Sequence, residues 1–193
     1  MVTSENTIMN ELPEHLGGHL NKVHTDRGAL LFCIKNLNVT SMIDIGCGPG
    51  DMVEIARNRG VDAIGVDGDF TLNLSPPNFF VQDFTKGEVI LPDKYEKVDL
   101  IWSVEFLEHV EEKYIPNYMS AFQRGKTVVC TAAPPGWPGH HHVNCQPQEY
   151  WFDVFKDCGF EYNPDLTDKI KSQSTMKKGF LVQNGMVYEN RTN

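Results

Sequence analysis

The sequence predicts an α/β fold, a doubly wound and mainly parallel sheet with helices on both faces, and three observations carry that reading. A short apolar run at residues 42–45 ends in glycines at alternate positions, Gly46, Gly48 and Gly50, and a helical pattern with Met52, Ile55 and Ala56 on one face begins at once. Apolar strands and helical segments then alternate from residue 41 to 159, as crossover connections between parallel strands require. The chain has 193 residues, 40% of them hydrophobic and 22% charged, a balance and length that suit one globular domain over 1–193.

Taken in order, residues 1–24 are polar and irregular, with His15, His19 and His24 and a Pro13 that argues against a long opening helix; the segment is expected to cover the pocket. Thr25 is read as the N-cap of the first helix with Asp26 in its first turn, and Ala29, Leu30, Phe32 and Cys33 supply its apolar side to about Asn36. The strand at 42–45 leads to a helix at 51–59 that Gly60 closes, and a second strand at 61–66 breaks at Asp67-Gly68-Asp69. A turn-rich stretch at 70–78 precedes a short strand at 79–82, and residues 84–97 form a connection. Residues 98–104 are a strongly apolar strand, followed by a helix or turn from Phe106. A helix at 116–124 is expected to end at Gly125, with a strand at 126–132 behind it. A Pro- and Gly-rich loop at 133–147 leads to a helix at 148–158 closed by Gly159, then a strand at 160–162 and a surface helix at 165–172. Residues 180–188 alternate as a strand does, and Asn184-Gly185 reads either as a hairpin turn or as a bulge in one strand.

The glycine bend is the chemical signal. Strand, tight turn and helix bring the backbone close to a nucleotide, and a Cβ in the turn would hold the ligand off and resist positive φ. The dinucleotide fingerprint needs its third glycine where Asp51 stands, so a nicotinamide-linked oxidoreductase fits less well. In an open parallel sheet, ligands gather beyond the carboxyl ends of the strands. Asp67, followed by Gly68, stands at the end of the second strand, where a carboxylate can accept both hydroxyls of a ribose in charge-assisted bonds.

Asp44-x-Gly46-Cys47-Gly48-x-Gly50 resembles motif I of the class I S-adenosylmethionine-dependent methyltransferases, and the resemblance extends from Thr25 over nearly the whole chain. It implies a Rossmann-like, seven-stranded sheet with an antiparallel strand near the edge, and S-adenosyl-L-methionine as cofactor. In that family the glycine loop lies under the amino-acid end of the cofactor and the acidic residue in the strand orders it, which assigns Asp44, Gly46, Cys47, Gly48 and Gly50. Asp83 resembles the residue that accepts the adenine amino group, with Phe84 as an apolar wall. Ser103 and Glu105 fall where the methionine part and the methyl group would lie. Leu107-Glu108-His109-Val110 resembles the ending of the corresponding region in many small-molecule methyltransferases.

The resemblance makes the chain an enzyme that methylates a small-molecule or glycan acceptor, with a preference for a hydroxyl oxygen. His109 is the candidate general base, since imidazole titrates in the right range, and His141 in the His140–His142 loop is the second. That loop is read as a lid over the acceptor before an inert loop, and a metal site third, because adjacent residues rarely converge on one ion; no metal ligand is assigned. N-methylation of a small molecule and a non-catalytic cofactor-binding module are the alternatives. Seventeen basic against 26 acidic residues give a net charge of −9, which repels phosphate backbones. Nucleobase-methylating enzymes place Asn or Asp, two prolines and an aromatic residue where this chain has Trp102-Ser103-Val104-Glu105, so no nucleic-acid partner is expected. Five scattered cysteines, no signal-like start and no membrane-length apolar run fit a cytoplasmic protein with no membrane partner. The oligomeric state is left open.

Overall fold

Strands buried on both faces must be apolar throughout, and the short runs of this chain meet that demand: Met42, Ile43, Ile45, Ala63, Ile64, Val66, Leu100 and Ile101 have at most traces of exposed surface. The structure, a computed structural model, describes residues 11–19, 22, 24–72 and 75–192. Most of the expected 1–24 cover and two residues of the 70–78 stretch therefore lie outside the described residues.

The described residues form a seven-stranded sheet in the order β3-β2-β1-β4-β5-β7-β6. Its strands are β1 (Ser41–Ile45), β2 (Asp62–Asp67), β3 (Phe79–Val81), β4 (Val98–Ser103), β5 (Gly125–Thr131), β6 (Phe160–Tyr162) and β7 (Gly185–Asn190). The pairs from β3 across to β5 are parallel, whereas β7 runs antiparallel to both β5 and β6. The helices are α1 (Arg27–Asn36), α2 (Asp51–Arg57), α3 (Ile115–Phe122), α4 (Gln148–Asp157), α5 (Pro164–Ser172) and α6 (Phe180–Asn184). One core joins α3 and α4 to the sheet through Tyr118, Phe122, Trp151 and Phe155; the other joins α1, α2, α5 and α6 through Leu30, Val53, Ile170 and Leu181. The doubly wound reading and the antiparallel strand near the edge both hold.

Four local expectations are corrected. The N-cap of α1 is Asp26, not Thr25: its carboxylate accepts from Ala29 N at 3.1 Å and from Thr175 N at 2.8 Å, so it is fully buried with donors around it. Gly125 does not end α3, which stops at Phe122; it opens β5, where an added Cβ would lie 2.4 Å from Cγ1 of Ile101 on the neighbouring strand. Strand β4 ends at Ser103 rather than residue 104, and Glu105 just beyond takes a left-handed φ of 57°. Residues 180–188 are neither a hairpin nor a bulged strand. Phe180–Asn184 is one short helix whose Leu181 carbonyl stands 2.4 Å from where a Cβ on Gly185 would be, so the glycine lets β7 start directly against it.

β1 pairs with β2 on one side and β4 on the other, with Asp44 opposite Trp102. The chain thus changes direction of travel across the sheet at this seam, and a crevice opens over the carboxyl ends of β1 and β4. No helix among the described residues is long and apolar enough to cross a membrane.

Candidate functional site

Over that seam lies a cavity of about 430 Å³, lined by the turns after β1, β2, β3 and β4, by the loop after β5 and by the segment before α1. Each wall follows from local chemistry.

The bend after β1 has Gly46 at φ 75° and Gly48 at φ 50°. A Cβ on Gly46 would come within 2.7 Å of the Phe106 ring, so glycine there lets the segment after β4 settle on the loop. Asp67, at the end of β2, ties the bend down: Gly48 N donates to its Oδ2 at 2.7 Å and Asp69 N to its Oδ1 at 2.9 Å. Each carboxylate oxygen keeps a further acceptor site, and Asp67 and Gly68 both face the cavity. Asp44 lies beneath the bend, 3% exposed, and burial with the Asp67 charge beside it pushes its carboxyl up to about 8.

Asp83 and Phe84 line the cavity after β3. Thr85 donates to Asp83 Oδ1 through its amide at 2.9 Å and its hydroxyl at 2.7 Å, and His15 Nε2 lies 3.1 Å from Oδ2. Burial pushes Asp83 up, but these hydrogen bonds outweigh it and hold the carboxyl below its usual range. Phe84 meets Phe106 edge to face with centroids 5.7 Å apart.

The opposite wall comes from the turn after β4 and the loop after β5. Glu105 N donates to Thr131 Oγ1 at 2.8 Å, and that hydroxyl lies 3.1 Å from Glu105 Oε1. These bonds hold a non-glycine residue in the left-handed region, a conformation worth roughly 1–3 kcal/mol that tends to occur at functional sites. Leu107–His109 forms a 3-10 turn that buries Glu108 completely. The Glu108 carbonyl accepts from Val143 N and Asn144 N, both at 3.0 Å, while its carboxylate Oε1 accepts from Ala133 N at 3.2 Å. The loop after β5 is thereby strapped onto this turn, and the rings of His109 and His142 meet edge to face at 4.9 Å. Burial holds His109 down to about 4, with the His142 imidazole adding to the effect, so the ring is neutral at pH 7. Burial raises Glu105 and Glu108 above the usual carboxylate range, and the Glu105 charge raises Glu108 further.

The segment before α1 closes the top. His19 Nε2 lies 3.1 Å from Asp69 Oδ2, and His140 Nε2 lies 2.8 Å from the Glu14 carbonyl. His19 and His24 both line the cavity.

Of the residues singled out from the sequence, Asp44, Gly46, Cys47, Gly48, Asp67, Gly68, Asp83, Phe84, Glu105 and His109 are gathered at this cavity. Three are not. Gly50 is the left-handed N-cap of α2, and a Cβ there would strike the Phe79 ring at 2.4 Å; its glycine serves packing. Ser103 is fully buried and its hydroxyl donates to the Ile45 carbonyl at 2.9 Å, fastening β4 to β1 instead of facing a ligand. His141 takes a left-handed φ of 46° and turns toward His15, with ring centroids 6.1 Å apart, leaving His140 and His142 to face the cavity. The Cys47 thiol points down at Gly65, whose added Cβ would lie 2.6 Å from Sγ. Sequence reasoning gave no individual role to His15, which it noted only as part of the covering segment, or to the buried Glu108, which it quoted only within the Leu107-Glu108-His109-Val110 stretch.

A family model described as a methyltransferase domain matches residues 25–137. Among solved structures, the chain is similar to the plantazolicin methyltransferase BpumL in complex with SAH, at 13% identity and a TM-score of 0.55, covering 86% of this chain and 83% of that one. It is similar to magnesium protoporphyrin IX methyltransferase from Synechocystis PCC 6803 with bound SAH, at 16% identity and TM-score 0.54, covering 83% and 78%. A proposed RNA methyltransferase from Pyrococcus horikoshii gives 14%, 0.52, 86% and 81%. None of the curated proteins matches. These likenesses establish the fold, and the three acceptors named are chemically unrelated.

Proposed function

The chain belongs to the methyltransferase-domain family and is an S-adenosylmethionine-dependent enzyme, and from that premise we propose that it methylates a hydroxyl oxygen of a small-molecule or sugar acceptor. The observation that carries the reading is the division of one roofed cavity into a carboxylate-and-glycine end and a histidine end. S-adenosylmethionine would lie along the first. The Gly46–Gly48 bend would support its methionine part, Asp67 would take the ribose hydroxyls with its remaining acceptor sites, and Asp83 with Phe84 would flank the adenine.

The sulfonium methyl group would then point toward Glu105 and His109. Methyl transfer from sulfonium is an in-line displacement, so alignment supplies most of the acceleration. A hydroxyl acceptor must also lose its proton, and His109, neutral at pH 7, offers a lone pair on that wall to receive it, although burial makes it a weaker base than the ordinary imidazole the sequence suggests. The roof of His15, His19 and His140 leaves room for a compact acceptor rather than a folded macromolecule, and the net charge of −9 disfavours a polyanion.

Isothermal titration with S-adenosylhomocysteine tests the first half; micromolar binding is expected, and none at high micromolar concentration defeats the assignment of the glycine end. Incubation of the enzyme and S-adenosylmethionine with metabolite extracts, followed by mass spectrometry for products 14 mass units heavier, tests the second. A product methylated on nitrogen, or on a nucleic acid, would overturn the acceptor class while leaving the cofactor site standing.

A further inference from the structure

We propose that Glu108, His109 and His142 bind a divalent transition-metal ion at the acceptor end of the cavity. Their donor atoms lie within 4.8 Å of one another, with Glu108 buried and the two histidines half-buried. Ligands at roughly 2.0–2.2 Å from an ion stand about 3–3.5 Å apart, so the side chains need to draw in by about 1 Å. Small shifts of the two half-buried histidines, with His142 pivoting about its hydrogen-bonded Nδ1, supply that movement.

Two features of the structure already point at a cation. One is the Glu108 carboxylate: it is completely buried, Oε1 is held by the Ala133 amide, and Oε2 has no hydrogen-bond partner. A buried oxygen left so has lost its hydration without gaining a donor, and a cation would supply the missing partner. The other is the way the His142 ring is fixed. Its Nδ1 lies 2.9 Å from the Trp137 carbonyl and donates to it, which leaves Nε2 with its lone pair. A carbonyl-anchored imidazole of this kind is usual around a metal, where the anchor fixes tautomer and direction.

The donor set names the ion class. Two imidazoles and one carboxylate suit zinc, manganese, cobalt or iron better than calcium or magnesium. Three protein ligands with an open position facing a cavity is the pattern of a site that takes water or substrate as its next ligand. The inference rests on the hydroxyl-acceptor reading for its role. The ion would bind the acceptor oxygen and acidify its proton, which would leave to water in the cavity as the oxygen bonds to the methyl carbon and the carbon–sulfur electron pair departs with sulfur. His109 serves the same end indirectly in this arrangement, by holding the cation.

The test reads metal rather than turnover. Chelator-treated protein is titrated with cobalt(II), followed by visible absorption and by melting temperature, with S-adenosylhomocysteine affinity measured alongside. One cobalt per chain is expected, with ligand-field bands and a higher melting temperature. His142→Ala should weaken cobalt binding on the order of 100-fold while leaving the metal-free melting temperature and the S-adenosylhomocysteine affinity near wild type. Glu108→Gln, nearly isosteric, should do the same. No cobalt binding, or binding that both variants retain, overturns the proposal. S-adenosylhomocysteine binding persists in either case if the methyltransferase reading stands, so the two fail separately.

Discussion

The two ends of the cavity are built on different principles. At the glycine end the carboxylates at the ends of β2 and β3 are engaged: Asp67 by the Gly48 and Asp69 amides, Asp83 by Thr85 and His15. At the histidine end two carboxyl groups, Glu105 and Glu108, lie side by side and both are raised above the usual range, and among the described residues no hydrogen-bond donor reaches Glu108 Oε2. The first end is finished by its own backbone and needs only to receive a ligand with hydroxyl and amino hydrogens. The second is electrostatically incomplete, and its completion falls to whatever binds there. Binding and chemistry should therefore separate along this line.

The sharpest test of the separation is His109→Ala. If the histidine end handles the acceptor, turnover should fall by about 10²–10⁴-fold, the usual contribution of a group that assists proton removal. Affinity for S-adenosylhomocysteine, measured by isothermal titration, should stay within a few-fold of wild type. An equal fall in cofactor affinity would break the comparison.

Asp67→Ala is the converse. It removes a charged acceptor from two backbone donors and, on the proposed reading, from the ribose, each such bond being worth about 1.5–3 kcal/mol. Cofactor affinity should drop by roughly 10–150-fold. Turnover at saturating cofactor should change far less, which a full kinetic analysis separates as KM against kcat.

Gly46→Ala probes the seam. Its Cβ would sit 2.7 Å from the Phe106 ring and 2.9 Å from Phe106 Cβ, at a φ of 75° that alanine resists. Strain and overpacking together should cost about 2 kcal/mol, a fall in melting temperature of roughly 4–8 °C. Because Phe106 precedes the 3-10 turn of Leu107–His109, this variant alone should impair both cofactor affinity and turnover.

The glycine end was legible because it is local. Asp44, Gly46 and Gly48 sit within five residues, and Asp67 is reached by one strand and helix, so spacing alone announces their meeting. Gly50 and Ser103 belong to the same stretches yet serve packing and strand fastening, which spacing cannot distinguish from ligand contact. The histidine end draws on residues 15–19, 105–109 and 137–142, and nothing in the order of the chain says that His142 rather than His141 faces inward. That is set by the left-handed turn at His141 and by two amides on the Glu108 carbonyl. The same limit explains residues 180–188: their alternation suits a strand, but packing of Leu181 into the second core makes the first half a helical turn.

The smallest expected effect tests whether Asp44 is an exception at the glycine end. Its carboxyl is held up to about 8 by burial and by the Asp67 charge, so the folded chain prefers it protonated. A raised pKa of this kind supports folding fully below the ordinary carboxylate range, and the support is lost as pH climbs toward about 8. Asp44→Asn keeps the shape without the titration. In ligand-free protein, its melting temperature relative to wild type should therefore rise between pH 5 and pH 8, by about 2–4 °C for each kcal/mol of relief. A difference independent of pH would mean that the folded interior carries the Asp44 charge at no cost. The glycine end would then be as fully finished at Asp44 as it is at Asp67 and Asp83.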